Sequence, residues 1–283
     1  MVNSKEGHGL TLRIRLLSEL STRVGMQVDY WMARLLPGRC FLCLASLREE
    51  RRGSPPVGWQ WAAPLCITCR RHLPFNRRGC PGCGEPLSVA APSLCGRCLV
   101  RPASFDATLA PLLYRGEVRQ LMQRYKFGAD RRCGQLLVAV FLEGLLERWL
   151  ERSLEEPGEA RQVSPMPEAL VAVPMHPERA RQRGFDQAQW LTRQLARRLG
   201  IPCCVARRRR DDGSQRGLDR RQRRHNLRHA FVVDGRLPQH IALVDDVMTT
   251  GATLDSLARA CRRRGACHVE AWALARTPRS ELC

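Results

Sequence analysis

Ile241-Ala242-Leu243-Val244-Asp245-Asp246-Val247-Met248-Thr249-Thr250-Gly251-Ala252-Thr253-Leu254 is the stretch that decides the fold. Four consecutive apolar residues predict a central strand buried on both faces. The run breaks off at two adjacent carboxylates. At the C-terminal edge of a parallel strand, such acids stand where open α/β sheets bind ligands. The Thr-Thr-Gly-Ala-Thr sequence then leads into a helix predicted to begin near Leu254. Small residues let backbone N–H groups close around a phosphate, threonine hydroxyls add donors, and the helix N-terminus adds a favourable dipole. The residues alone thus predict a strand edge that offers carboxylates to hydroxyls and a loop that cradles a phosphate, and a sugar phosphate carries both groups. The plainer alternative is a strand–turn–helix junction with solvated aspartates. It fits poorly, because a buried strand does not end in paired acids without use.

Working outward, strands are predicted at residues 107–114, 169–173, 240–247 and 268–275, and helices at 117–127, 133–150, 187–199 and 253–264. Strands alternating with helices imply βαβ units and a parallel sheet. A further amphipathic helix is predicted at residues 28–36, closed by Pro37-Gly38, and a surface loop at 152–168. The expected organisation is an N-terminal extension over residues 1–36, a cysteine module over 37–103 and an α/β domain over 104–283. Within that domain, residues 207–228 hold ten arginines against Asp211, Asp212 and Asp219.

The 283 residues contain 44% hydrophobic and 26% charged residues, ordinary for a globular protein, and no apolar run reaches the length of a membrane span. With no apolar leader at the N-terminus, a cytoplasmic location is expected. Formal net charge is +20, and Lys5 and Lys126 are the only lysines among 47 basic residues. Two explanations fit: a genome biased toward arginine codons, or a surface for polyanions such as phosphate esters or nucleic acid.

Eight of the fourteen cysteines form four C-x-x-C pairs: Cys40/Cys43, Cys66/Cys69, Cys80/Cys83 and Cys95/Cys98. Each pair presents two thiolates from one tight knuckle, and two knuckles complete a tetrahedral four-thiolate site. Four knuckles within 59 residues point to two structural zinc ions in a reducing compartment rather than to disulfides. Spacing leaves open whether the pairs combine sequentially or interleave.

Residues 242–253, A-L-V-D-D-V-M-T-T-G-A-T, resemble the phosphoribosyl pyrophosphate motif of type I phosphoribosyltransferases. The resemblance implies that Asp245 and Asp246 are the catalytic acids on the ribose hydroxyls. It places the 5′-phosphate on Thr249, Thr250, Gly251, Ala252 and Thr253, with Ala252 where many members carry glycine. Upstream, Val173-Pro174 and the loop ending in Arg183-Gly184-Phe185-Asp186-Gln187 are similar to the ComF family, which usually reads R-G-F-N-Q. That resemblance puts Val173 and Pro174 beside the substrate and makes Arg179, Arg181 and Arg183 pyrophosphate partners. Asp186 in place of asparagine suits a helix cap better than a phosphate contact. Gln215, Arg224 and Asn226 resemble the family's mobile hood over the site, and Lys126-Phe127 its K-F element, with Lys126 as an accessory residue or a snorkelling surface lysine. A double zinc ribbon at the N-terminus is also a family feature, so the expected fold is α/β, of the type I phosphoribosyltransferase kind with a small ribbon module.

Two functions follow. The first is transfer of a phosphoribosyl group from phosphoribosyl pyrophosphate, with Mg²⁺, to an acceptor that the sequence does not reveal. The second is a DNA-handling scaffold or ligand sensor that binds single-stranded DNA and works with other DNA-import proteins, since ComF-like proteins are implicated in natural transformation. Single-strand binders usually add aromatics for base stacking, and residues 207–228 have none.

Overall fold

The computed structural model describes residues 39–47, 65–88, 94–128, 130–155, 166–175, 180–181, 183–208 and 230–281. The helix expected at residues 28–36, together with Arg179, Gln215, Arg224 and Asn226, lies outside them. Two short helices, α1 (Ile67–His72) and α2 (Gly96–Val100), belong to the cysteine module. The remainder is β1 (Ala107–Leu109), β2 (Leu112–Leu113), α3 (Gly116–Phe127), α4 (Arg131–Glu155), β3 (Ala169–Ala172), α5 (Gln187–Leu199), β4 (Cys203–Cys204), β5 (Ala206–Arg208), β6 (Phe231–Val233), β7 (His240–Met248), α6 (Ala252–Arg262) and β8 (His268–Arg276).

The main sheet runs β1-β8-β7-β3-β4, with β2 also on β8, and every pairing in it is parallel. β7 sits at its centre because Ile241, Ala242, Leu243 and Val244 are all buried, as their unbroken apolar run requires. One sheet face packs Ile241, Leu243, Val269 and Ala271 against Leu254, Leu257 and Cys261 of α6. The other face meets α4, where Phe141 packs on Trp272 with ring centroids 5.5 Å apart.

The single strand predicted at 107–114 is two, interrupted at Ala110-Pro111. Proline has no N–H for a ladder, and the Pro111 carbonyl accepts instead from the Asn76 N–H at 2.7 Å. Residues 207 and 208, read as the start of a polar segment, belong to β5, which pairs antiparallel with β6. A ladder is made by backbone, so arginines can join it while their side chains stay at the surface. Arg207 pairs with Asp234 at 3.4 Å and Arg208 lies over the Phe231 ring. Residues 209–229, between these two strands, lie outside the described set.

Two compact units divide the chain: described residues 39–47 and 65–71 fall in the first, and those from His72 onward in the second. Among the described residues, no helix is long and apolar enough to cross a membrane.

Candidate functional site

β7 does not stop at the acids. It runs to Met248, but from Asp245 onward only β8 accompanies it, because β3 leaves the ladder at Ala172↔Val244. The acids therefore sit at a one-sided sheet edge rather than past a strand end. Successive side chains of a strand face opposite ways. Asp246, 9% exposed, meets Lys126 Nζ at 3.0 Å, with the lysine side chain itself 12% exposed. Lys126 reaches it from the last turn of α3, so this half-buried lysine is an ion-pair partner and not a snorkelling one. Asp245 is half-buried and accepts from the Asp246 N–H at 2.8 Å.

Burial, and then the neighbouring Asp246 charge, pushes the Asp245 carboxyl up to about 7. A carboxyl raised in the folded state makes a contribution to stability that is complete below its unfolded value and lost as pH rises through the folded one. Ligand-free protein should accordingly lose thermal stability between about pH 4 and about pH 7, and Asp245→Asn should remove that loss. Melting temperatures of both chains across this range check it; parallel curves would contradict the assignment.

The loop after β7 turns at Gly251, whose φ of 77° is the left-handed region glycine favours. A Cβ there would also lie 2.9 Å from Met248 Cε. Ala252, by contrast, is the exposed first residue of α6. Alanine is at ease there, which explains the departure from glycine at that position. The Ala252 N–H donates to Thr250 Oγ1 at 3.3 Å, Thr249 and Thr250 are exposed, and Thr253 is half-buried.

Val173 and Pro174 follow β3, with the Val173 N–H donating to Val244 O at 2.9 Å. Asp186 caps α5, its carboxylate accepting from the Gln189 N–H at 2.8 Å. Arg181 is exposed. Arg183 donates to Gln187 Oε1 at 3.1 Å and lies 5.3 Å over the Phe127 ring. Gln187 is fully buried, and its backbone carbonyl accepts from Tyr125 Oη at 2.8 Å. Phe185 packs edge-on against Tyr125 at 5.5 Å. The Arg183–Gln187 segment thus clamps the end of α3, the turn that carries Lys126 to Asp246.

Sequence reasoning missed Arg276. It closes β8, is 1% exposed, and its guanidinium is fully committed. Nη1 donates to Met248 O at 3.0 Å and also to the carbonyls of Thr249 and Thr277. Nε donates to Cys83 O at 3.0 Å, and Nη2 pairs with Glu85 Oε2 at 2.6 Å. One side chain thus joins the end of β7 and the loop after it to a cysteine knuckle. The available signal was an arginine at the end of an otherwise apolar strand, W-A-L-A-R.

The cysteines group sequentially, Cys40/Cys43/Cys66/Cys69 and Cys80/Cys83/Cys95/Cys98, with the four sulfurs of each group mutually within 4.8 Å. Cys43 and Cys66 sulfurs lie 3.7 Å apart, and those of Cys83 and Cys95 3.6 Å. A tetrahedron with metal–sulfur arms of about 2.3 Å has an edge of about 3.8 Å, so both groups fit zinc. Backbone N–H groups already point at sulfur, from Cys69 to Cys66 and from Cys95 to Cys80, each at 3.3 Å.

The residue that follows the first knuckle of each group differs. Gly84 takes φ 67°, and its N–H closes on Cys80 O; Leu44 takes φ 62° with its N–H on Cys40 O. A left-handed leucine is strained, and this one is 62% exposed with little packing to lose. Leu44→Gly is expected to stabilise the first ribbon by about 1 kcal/mol, read as a rise in the chelator concentration needed to unfold it. No rise would show that the strain is relieved elsewhere.

A parallel sheet with paired acids and a small-residue loop on its central strand defines a phosphoribosyltransferase-type protein, and residues 188–282 match the phosphoribosyl transferase domain family. The chain belongs, more narrowly, to the ComF family of competence proteins. Competence protein F of Haemophilus influenzae is 31% identical over 247 residues, covering 84% of this chain and 96% of that protein. DNA utilization protein YhgH of Salmonella typhi is 31% identical over 248 residues, 86% of this chain and 98% of its own. Competence protein ComFC of Streptococcus pneumoniae is 24% identical over 215 residues, 75% and 87% of the two chains. Among solved structures, a purine phosphoribosyltransferase from Pyrococcus horikoshii matches 53% of this chain and 82% of its own at 18% identity and TM-score 0.31, too loose a likeness to argue from.

Proposed function

We propose that this protein binds phosphoribosyl pyrophosphate together with Mg²⁺ and uses it, as a phosphoribosyltransferase, in the handling of imported DNA. The observation that carries this reading is the succession, on one central strand and its exit loop, of Asp245 and Asp246 and then the turn at Gly251. The acids bind the ribose hydroxyls, with Lys126 holding Asp246 in place. Residues Thr249 to Thr253 hold the 5′-phosphate at the start of α6. Val173 and Pro174 line the approach, and Arg179, Arg181 and Arg183 face the pyrophosphate. Mg²⁺ on the pyrophosphate would offset the charge of the leaving group. Positioning and electrostatics carry such a transfer, so no dedicated base is needed.

Each cysteine group holds one structural Zn²⁺. None of the thirteen described cysteines is in a disulfide, which suits the cytoplasm. The names of the relatives, Competence protein F and DNA utilization protein, support a role in DNA uptake. The net charge of +20 favours a second reading, a scaffold or sensor that binds single-stranded DNA with the other import proteins and performs no transfer.

Complementation separates the two. In a transformable strain lacking its own copy, the chain carrying Asp245→Asn and Asp246→Asn should fail to restore transformation, although it folds and retains zinc. Full restoration would mean that the protein acts as a scaffold.

A further inference from the structure

At the end of the sheet opposite the acids, three more ligand-type side chains converge. His240 opens β7 and His268 opens β8, and the two are direct partners in the parallel register. Glu270 lies two residues along β8, on the same face as His268. His240 Nε2 is 3.2 Å from Glu270 Oε1, and His268 Nε2 is 3.8 Å from the same oxygen. One ligand atom from each of the three residues falls within 4.8 Å of the others.

We infer that His240, His268 and Glu270 form a third metal site, for a borderline divalent ion of the zinc or cobalt kind. Ligand atoms around a tetrahedral ion with arms of about 2.0–2.1 Å stand about 3.3–3.4 Å apart. The His240–Glu270 pair already has that separation. The His268 side chain, 45% exposed, needs to close on the Glu270 oxygen by a few tenths of an ångström. Two imidazoles and one carboxylate select zinc-like ions over Mg²⁺, which prefers oxygen ligands.

The surroundings match those of metal ligands. Glu270 Oε2 accepts from Trp272 Nε1 at 2.8 Å, which fixes the carboxylate and leaves Oε1 facing the histidines. His268 Nδ1 lies 3.6 Å from Asp106 Oδ2, the carboxylate–imidazole arrangement that orients a ligating ring. Asp106 is itself held by Arg262 at 2.7 Å and by the Val269 N–H at 2.7 Å. An ion here takes the place of the His240–Glu270 hydrogen bond and keeps one coordination position open on the exposed His268 side. It pins together the starts of the two strands that carry Asp245, Asp246 and Arg276. Asp245 lies five steps along β7 from His240, about 17 Å, so this site is distinct from the phosphoribosyl site.

The test is a Co²⁺ titration of intact protein whose two cysteine sites are first shown by elemental analysis to be filled with zinc. One further equivalent should bind, giving visible d–d bands without thiolate charge-transfer absorption. Uptake should weaken at least tenfold in His268→Ala, whose exposed side chain can be lost without endangering the fold, and likewise in Glu270→Gln. Failure of the wild type to take up a further equivalent would overturn the assignment. So would undiminished uptake in His268→Ala, or charge-transfer bands showing that a cysteine is the ligand.

Discussion

Arg276→Met is expected to cost the second unit about 3–5 kcal/mol of stability, the range for breaking a buried ion pair from one side. The substitution leaves the Glu85 carboxylate, only 14% exposed, without its closest cation, with Arg279 remaining at 3.7 Å. It also removes the donor from the carbonyls of Cys83 and Met248. Each stranded group adds about 1–3 kcal/mol in isolation, but neighbouring losses relax together and do not sum. Against a typical total of about 5–15 kcal/mol, such a loss places the unit near unfolding. Glu85→Gln keeps an acceptor for the Arg279 N–H, which the carboxylate holds at 2.9 Å, and should cost less. Urea midpoints for the two variants, with zinc present, check both statements. A loss below about 1 kcal/mol in Arg276→Met would show that the link between knuckle and loop is incidental.

The second large effect concerns the acids. Asp245→Asn combined with Asp246→Asn should weaken phosphoribosyl pyrophosphate binding by about 3–6 kcal/mol, two charge-assisted hydrogen bonds to desolvated hydroxyls at about 1.5–3 each. The double variant also strands Lys126, whose side chain is 12% exposed and whose ammonium loses its carboxylate. Part of the measured effect will therefore arise from displacement of that side chain. Lys126→Met in the double-variant background separates the two contributions: restored stability with binding still lost assigns the loss of affinity to the acids themselves.

Much of the architecture was legible because it rests on local patterns. Residues 187–199 were predicted as a helix to the residue, since Asp186 caps one end and Gly200, with φ 68°, closes the other. The apolar runs of β7 and β8 announced a buried parallel sheet, and four knuckles announced two groups of four cysteines. Features that depend on distant parts of the chain were not legible. Spacing could not decide the cysteine pairing; only the folded chain brings Cys43 to Cys66 and Cys83 to Cys95. The β5–β6 ribbon is three residues long on each strand and carries arginines, so no alternation marks it. The roles of Gln187 and Arg276 lie in contacts with Tyr125 and with Cys83, Glu85 and Met248, which the sequence around them does not display. His240 and Glu270 are thirty residues apart and meet only through the strand register.

The paired acids and the loop after them are proposed to form a phosphoribosyl pyrophosphate site. Calorimetric titration of the intact, zinc-loaded protein with phosphoribosyl pyrophosphate in Mg²⁺ addresses it most directly. One saturable site per chain is predicted, dependent on Mg²⁺ and lost in the Asp245→Asn, Asp246→Asn double variant. Absence of saturable binding by the wild type, or binding by the double variant within a few-fold of it, would contradict the account.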